Sequence, residues 1–202
     1  EDAAADAGTR RYRLPDAHAE VLLDADNPAH AGASAYWIGS LAEVLQRVPG
    51  IYRSGEGLPY PEYGADCRLA IANFNRPMFV NLLASEWFPR VPGLVERLGA
   101  DPSARVADVG CGTGWSSISI ARGFPKAIVT GFDLDSASID EARVNAAEAG
   151  VADRTTFEVR DAADPQLAGS FDLVCAFETI HDMVDPVGVL RAMRVMRADG
   201  AT

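Results

Sequence analysis

Three glycines at alternate positions, Gly110, Gly112 and Gly114, form the pattern in this sequence that most directly suggests chemistry. They end the apolar run "ARVADVG" and precede a helix-like segment that begins at Trp115. Glycine costs backbone entropy in an ordered element, so three of them together need a reason. Glycines let a backbone turn tightly and approach a ligand, and the following helix offers unpaired N–H groups to an anionic group. The turn is therefore predicted to bind a nucleotide-like ligand. The alternative is that the glycines only allow a tight turn between the strand and the helix.

The spacing of these glycines discriminates between nucleotide ligands. The dinucleotide fingerprint G-x-G-x-x-G needs a third glycine where the sequence has Trp115, whose indole would crowd a pyrophosphate. No Lys-Ser or Lys-Thr pair follows, so the turn does not match a phosphate-cradling P-loop either. Read from Asp108, the pattern is D-x-G-x-G-x-G. An NAD-linked oxidoreductase is therefore disfavoured.

Two carboxylates follow apolar runs downstream of the glycines: Asp133 ends "AIVTGFD", and Asp161 comes after "TTFEVR". A carboxylate offers several acceptor lone pairs, which suits a vicinal diol that must donate twice. Capping a helix and forming a turn are the alternative roles. Asp135 and Ser136 are better placed to cap the next helix, so Asp133 is predicted to hold a ligand.

His181 is the candidate general base, because an imidazole titrates near neutrality and can take a proton from a phenol or another hydroxyl. The alternative is that it lines the pocket or braces the loop before the next helix. The other histidines, His18 and His30, lie far away in the sequence, and no metal cluster is evident. Cys111, inside the glycine turn, is interpreted as a small packed residue.

The elements that must position these residues alternate between strand and helix from about residue 104 onwards. Four apolar runs are predicted strands: "ARVADVG", "AIVTGFDLD", "TTFEVRDA" and "SFDLVCAFE". Predicted helices begin at Trp115, at Ser136 with a Ser138–Glu141 capping box, and at Pro186 with Asp185 as the cap. This alternation predicts an α/β fold with a doubly wound, Rossmann-like parallel sheet covered on both faces.

The first half of the sequence has a different pattern. Residues 1–9 are small and acidic, and are expected to be disordered. Residues 10–23 alternate polar and apolar positions around Pro15–Asp16, which predicts a short hairpin. Residues 31–48 have helical periodicity, as do residues 67–88, which are expected to kink near Pro77. The helical face of the first segment comprises Trp37, Ile38, Leu41, Val44 and Leu45.

Composition narrows the partners. The net charge of −11 argues against nucleic acid or an anionic membrane surface. The three cysteines are few and lie among apolar residues, which predicts reduced thiols and a cytoplasmic location. No apolar run reaches the length of a membrane span, and the acidic start does not match a signal peptide.

With these motifs in place, the sequence resembles the class I S-adenosylmethionine-dependent methyltransferases. "VADVGCGTG", "VTGFDLD" and "EVRDAAD" match their first, second and third motifs in order and spacing. The resemblance implies that Asp108 and the Gly110–Gly114 loop hold the methionine part of S-adenosyl-L-methionine. It implies that Asp133, with Leu134 beside it, accepts both ribose hydroxyls, and that Asp161, with Ala162 beside it, contacts the adenine amino group.

The segment around His181–Asp182 resembles the "LHDW" segment of winged-helix small-molecule O-methyltransferases, in which the histidine is the general base. Met183 stands here in place of the tryptophan, so the base role is open. Residues 12–28 would then be the wing hairpin of an N-terminal winged-helix module, which in such enzymes mediates homodimers and shapes the acceptor pocket. Several N-terminal residues could line that pocket, although core packing explains the apolar ones as well: Tyr60, Tyr63, Asn73, Asn75, Arg76, Met78 and Trp87.

The resulting organisation has three parts: a disordered start and wing remnant over 1–30, a helical linker and acceptor-pocket region over 31–99, and a cofactor-binding domain over 100–202. Such domains carry seven strands, whereas four are predicted here, so we expect the sheet to lack its last strands and cofactor binding to be weak. The predicted function is methyl transfer to a small molecule, with O-methylation favoured. The alternative is a winged-helix regulator that senses a ligand through a methyltransferase-like domain.

Overall fold

A parallel sheet of four short strands organises the second half of the computed structural model, which describes residues 8–201. The strands are β1 (Arg105–Val109), β2 (Ile128–Asp133), β3 (Thr155–Val159) and β4 (Leu173–Cys175). Three helices connect or follow them: α6 (Trp115–Gly123), α7 (Ser136–Glu148) and α8 (Pro186–Met196). The α/β architecture predicted from the sequence is confirmed.

The order of the strands is β3-β2-β1-β4, with every pair parallel. The chain winds outwards from β1 to β3 and then returns to place β4 on the other side of β1. This reversal creates a switch point between β1 and β4, beside whose carboxyl ends ligands bind in open α/β sheets. The glycine turn begins directly after β1 and so lies at that switch point.

Successive residues of β1 contribute to two separate cores, one on each face of the sheet. Val106 packs with Ile118, Val129 and others beneath α6 and α7. Ala107 belongs to the opposite cluster, with Phe132 and the residues around α8. Burial on both faces explains why the strands read as continuous apolar runs rather than as alternating patterns.

The caps of α7 and α8 differ in how well the sequence predicted them. Asp185 accepts the Gly188 N–H at 2.9 Å with Pro186 in the first turn of α8, which confirms the prediction. Asp135, one of the two residues expected from the sequence to cap α7, is its N-cap and accepts both the Ser138 N–H and the Ser138 hydroxyl, at 3.0 and 2.7 Å, whereas the predicted Ser138–Glu141 capping box is wrong. Glu141 instead bonds an arginine of another helix.

The first half of the described chain is helical and contains no strand between residues 8 and 99. Its helices are α1 (Asp16–Leu23), α2 (Ala33–Val44), α3 (Val48–Ser54), α4 (Gly64–Met78) and α5 (Leu94–Gly99). A 3₁₀ turn over Tyr60–Tyr63 precedes α4, and a π-helical segment over Phe79–Trp87 and a 3₁₀ turn over Phe88–Arg90 follow it. Residues 1–7 of the acidic start, predicted to be disordered, lie outside the described residues.

The hairpin predicted over residues 10–23 is wrong, because Asp16–Leu23 forms α1. Pro15, extended at φ −58° and ψ 146°, precedes the helix, and its carbonyl accepts the N–H groups of His18 and Ala19. The Pro–Asp pair therefore starts a helix rather than a turn between strands, in keeping with the good helix formers Ala, Glu and Leu that follow. The wing of a winged-helix module is not present in this segment.

The apolar stripe of α2 is only partly buried. Val44 is buried and Trp37 is half-buried, whereas Ile38, Leu41 and Leu45 are 71%, 52% and 60% exposed. The helix predicted over residues 31–48 is confirmed, but the periodicity does not show which side of it meets the rest of the molecule.

Pro77 lies inside α4, one residue before its end, and has no N–H to donate to the preceding turn. The helix continues beyond Met78 in the wider π geometry, so the kink expected near Pro77 takes the form of a change of helix type. The Asn81 side chain donates to the Pro77 carbonyl at 2.8 Å and to the Asp26 carbonyl at 2.7 Å, which ties the segment after α1 to the π-helical segment. In that segment Phe79 packs against Phe177, which follows β4, with 5.7 Å between ring centroids.

Candidate functional site

A cavity of about 1000 Å³ opens at the carboxyl ends of β1, β2 and β4, between the sheet and the N-terminal helices. Both halves of the chain line it. Six of the nine residues that the sequence predicts for the site reach its wall: Gly110, Gly112, Asp133, Leu134, Asp161 and Ala162. The other three, Asp108, Gly114 and His181, do not.

The glycine turn forms one end of the cavity. Gly110 and Gly112 have φ of +69° and +52°, a region that favours glycine. The N–H groups of Gly110 and Cys111 donate to the Phe132 carbonyl at 2.8 and 3.1 Å, which fixes the turn against β2. A side chain at Gly110 would collide with Thr179, whereas the space around the α-carbon of Gly112 is open. The backbone at Gly112 is therefore accessible from the cavity.

Asp133 joins this turn to the end of β2. One carboxylate oxygen accepts the Gly112 N–H at 2.8 Å, and the other accepts the Asp135 N–H at 2.9 Å. Burial raises the pKa of Asp133, although these backbone hydrogen bonds offset part of the rise. Each carboxylate oxygen has two lone pairs, so Asp133 can also accept hydrogen bonds from a diol in the cavity.

Asp108 lies behind the glycine turn instead of in the cavity. Its side chain is buried, and its Oδ2 accepts the hydroxyls of Ser116 and Ser117 at 2.5 and 2.7 Å. Burial raises the pKa of Asp108, and its Oδ1 has no protein partner. The carboxyl group thus connects β1 to the first turn of α6, which holds the turn in place from beneath.

Gly114 is also a packing residue. At φ +85° it begins α6, and a β-carbon there would lie 2.9 Å from the Ala142 side chain and from the Phe157 ring. The absence of a side chain lets α6 approach α7 and β3 closely. Gly114 is therefore required for packing between elements, and its predicted contact with the cofactor stays a prediction.

The region after β3 supplies the far end of the cavity. Asp161 lies on the wall, with its Oδ1 accepting the Ala163 N–H at 2.8 Å, and Ala162 is buried beside it. Leu134, which follows β2, is 72% exposed and also lies on this wall. A carboxylate and two apolar side chains therefore converge there, a combination suited to a planar heterocycle with an amino group.

His181 lies outside the cavity wall. Its side chain is 65% exposed, and its Nε2 is 3.5 Å from the Asp182 carboxylate. Asp182 and Glu178 from the same segment do reach the wall. Glu178 has φ +51°, the only positive φ among non-glycine residues of the described chain, and such backbone strain clusters at functional sites.

Two side chains from the N-terminal half stand close to Asp133 and Asp135. Burial raises the pKa of the Tyr60 phenol, and the nearby Cys67 thiol, Asp133 and Asp135 raise it further, so the phenol stays protonated and able to donate. Arg68, on α4, is 14% exposed in its side chain and pairs through Nε with Glu141 at 3.2 Å and Asp135 at 3.9 Å. Arg68 therefore attaches α4 to the N-terminus of α7.

Part of the N-terminal wall of the cavity is formed by residues that the sequence offers as lining of the acceptor pocket. Tyr60, Tyr63 and Asn75 line the cavity. Asn73 and Arg76 line a smaller groove of about 500 Å³ on the other side of Trp115, and the Arg76 guanidinium stacks 3.6 Å from the centre of the indole ring. Met78 and Trp87 line neither space, and Trp87 packs against Phe79 and Phe177. Arg68 was missed, because its partners lie on another helix and no local pattern marks them.

Within residues 8–201, no three His, Cys, Asp or Glu side chains are placed to hold a metal ion together. None of the helices in the described part of the chain has the length and apolar character of a membrane span.

Comparisons with known proteins found a matching family model and several similar proteins. The family model for "Methyltransferase domain" matches residues 100–201. The chain is 36% identical over 113 residues to 27-O-demethylrifamycin SV methyltransferase of Amycolatopsis mediterranei, covering 55% of this chain and 40% of the relative. It is 37% identical over 110 residues to a ubiquinone biosynthesis O-methyltransferase of Hahella chejuensis, covering 53% of this chain and 44% of the relative. The chain thus spans less than half the length of these curated relatives.

Among solved structures, one similar fold is a protein of Methanococcus maripaludis assigned as an S-adenosyl-L-methionine-dependent methyltransferase. The TM-score is 0.53 at 18% identity, and the match covers 65% of this chain and 56% of that one. At this identity the similarity shows the fold, which is the Rossmann-like parallel sheet described above.

Proposed function

The chain belongs to the methyltransferase domain family, and from that membership we propose that it transfers a methyl group from S-adenosyl-L-methionine to a small-molecule acceptor. The observation that carries the proposal is the convergence of the glycine turn, Asp133 and Asp161 on one cavity. We propose O-methylation in particular, because relatives that share a third or more of their aligned residues are named ubiquinone biosynthesis O-methyltransferases.

The residues on the wall fit the cofactor part by part. Asp133 would accept the two ribose hydroxyls, since a carboxylate has the lone pairs for both in addition to its two backbone bonds. Asp161 would accept from the adenine amino group, with Leu134 and Ala162 against the ring. The open space at Gly112 would let the methionine part approach the backbone. Asp108 supports the turn from beneath, and its contact with the methionine part stays a prediction from the sequence.

When bound, the cofactor would supply a methyl group on a sulfonium, which is already electrophilic. The protein's contribution would then be alignment of the acceptor and exclusion of water. Aromatic side chains from both halves of the chain serve the second purpose. Phe79 and Phe177 pack against each other on the cavity wall, and Trp37 lines it from α2.

The removal of the acceptor's proton has two kinds of candidate. Asp182 and Glu178 lie on the wall, where a carboxylate could accept a hydroxyl proton. The base role predicted for His181 would require its exposed imidazole to turn towards the cavity. An N-terminal winged-helix-type module, a homodimer formed through it, and a cytoplasmic location stay predictions from the sequence.

The test is calorimetric titration of the chain with S-adenosylhomocysteine. We expect binding to the unaltered chain and about 100-fold weaker binding to Asp133→Ala, because two charge-assisted hydrogen bonds contribute about 3 kcal/mol. Asp133→Asn, which keeps one uncharged acceptor, should lose about tenfold. Asp153→Ala is the matched control, since that carboxylate is 73% exposed and pairs with its neighbour Arg154.

Thermal unfolding of each variant separates lost binding from lost structure, since Asp133 also holds the glycine turn. Full affinity in a folded Asp133→Ala variant would contradict the site assignment. No detectable binding by the unaltered chain would contradict the proposed cofactor.

A further inference from the structure

The acceptor side of the cavity is apolar and aromatic. Its wall on the N-terminal half and on the segment after β4 includes Trp37, Tyr63, Ile71, Phe79, Phe177 and Met183. Apolar walls of this kind bind apolar ligands by removing their surface from water, and leave orientation to a few polar groups. The wall therefore selects an acceptor with a substantial apolar, planar surface.

Negatively charged side chains outnumber positively charged ones on the wall of the cavity. Six carboxylates line the cavity: Asp133, Asp135, Asp161, Glu178, Asp182 and Asp185. The cations on the described wall are two arginines, Arg68 and Arg160. An S-adenosylmethionine molecule in the cavity would add a single net positive charge, which leaves an excess of negative charge around the acceptor.

Each of the two arginines is already matched by carboxylates. Arg68 lies between Asp135 and Glu141, whose two negative charges outnumber its one positive charge. Arg160 bonds Asp164 at 2.8 Å and Glu158 at 3.2 Å, both outside the cavity wall, and also donates to the Gln166 side chain at 3.1 Å. Neither guanidinium offers an uncompensated charge to an acidic ligand.

Resting on the proposed function, we infer that the methyl acceptor is an apolar aromatic molecule that is neutral or cationic, and that carboxylate- or phosphate-bearing acceptors are excluded. A carboxylate brought into this cavity would meet several like charges at short range without a cation to balance it. A phenol or an aryl amine meets no such repulsion. Glu141 contributes to this selection, because it neutralises Arg68 from outside the cavity.

The experiment uses three probes that share the naphthalene ring system and carry a neutral, an anionic and a cationic substituent at pH 7.5: 2-naphthol, 2-naphthoate and 2-naphthylmethylamine. S-Adenosylhomocysteine binding is measured first, so failure of the proposed function appears before any probe is added. Each probe is then titrated at pH 7.5 into the chain saturated with S-adenosylhomocysteine. We expect 2-naphthol and the amine to bind, and 2-naphthoate to bind at least about tenfold more weakly.

A charge variant tests the part played by Arg68. Glu141→Gln removes one of its two partners, and should narrow the gap between 2-naphthol and 2-naphthoate to about threefold. Asp140→Asn is the matched control, because it removes one negative charge from the adjacent position of α7, where the carboxylate is 74% exposed and pairs with Arg143. The control should keep the full gap.

Two results would overturn the inference. The first is a 2-naphthoate affinity equal to or above that of 2-naphthol in the unaltered chain. The second is failure of all three probes to bind, since the inference requires an apolar site. Equal narrowing of the gap in Glu141→Gln and Asp140→Asn would overturn the role given to Arg68.

Discussion

The two halves of the chain line the same cavity with different kinds of chemical group. The C-terminal half presents backbone and carboxylates at the ends of β1, β2 and β3, held by a sheet with a core on each face. The N-terminal half presents aromatic side chains from helices whose outer surfaces carry exposed apolar residues such as Ile38 and Leu45. The wall from the C-terminal half is determined by backbone geometry, and the wall from the N-terminal half by the identity of its side chains. Substitutions in the N-terminal half can therefore change which acceptor binds without altering the cofactor wall.

The largest expected effect of a single substitution belongs to the C-terminal half. Gly114→Ala places a side chain at φ +85° and within 2.9 Å of Ala142 and Phe157. Strain of about 1–2 kcal/mol from the left-handed backbone and about 1–3 kcal/mol from overpacking should lower the free energy of unfolding by about 3 kcal/mol. Urea denaturation measures the loss.

Gly150→Ala is the control for that variant. Gly150 has φ +70° but open space around its α-carbon, so only the backbone strain applies and the loss should be about 1 kcal/mol. Equal losses in the two variants would show that close packing of α6 against α7 and β3 contributes nothing.

Measuring two variants with two ligands tests whether one wall binds the cofactor and the other binds the acceptor. Asp161→Ala should weaken S-adenosylhomocysteine binding about tenfold by removing one charge-assisted hydrogen bond, and leave 2-naphthol binding within about twofold. Trp37→Ala should weaken 2-naphthol binding about fivefold by removing apolar contact area, and leave S-adenosylhomocysteine binding within about twofold. Calorimetry of both variants with both ligands gives the four affinities. If either variant weakened both ligands equally, the two walls would not be independent.

The same contrast explains how much could be predicted from the sequence. In the C-terminal half, strand and helix alternation gave the sheet, and motif spacing placed Gly110, Gly112, Asp133 and Asp161 on one cavity. Those positions follow from local chemistry, because a parallel sheet brings the carboxyl ends of its strands to one edge. The sequence did not predict the burial of Asp108, because that burial depends on the serines of the next helix turn, and the expected contact of Asp108 with the cofactor stays a prediction.

The N-terminal half was predicted less well because its structure depends on contacts between residues that are distant in the sequence. The alternating pattern around Pro15–Asp16 fits a hairpin or a helix start, and only the contacts of the folded chain decide between them. Arg68 carries no local signal, since its two partners lie on and beside α7, more than sixty residues away in the sequence. The same holds for the exposed face of α2, whose periodicity is correct while most of its apolar residues face outwards.

The smallest expected effect is that of His181→Ala, and it separates the two ways in which the segment after β4 could serve the reaction. The imidazole is outside the cavity wall and 65% exposed, so its loss should change S-adenosylhomocysteine and 2-naphthol affinities by less than about twofold and unfolding by less than about 0.5 kcal/mol. Asp182→Asn, one residue further on the wall, is the matched comparison and should relax the discrimination against 2-naphthoate. A change of more than fivefold in 2-naphthol affinity for His181→Ala would mean that the ring turns into the cavity when ligands bind. Such a result would support the base role predicted for His181 from the sequence. The group that contacts the acceptor would then be this histidine and not the carboxylates of the same segment.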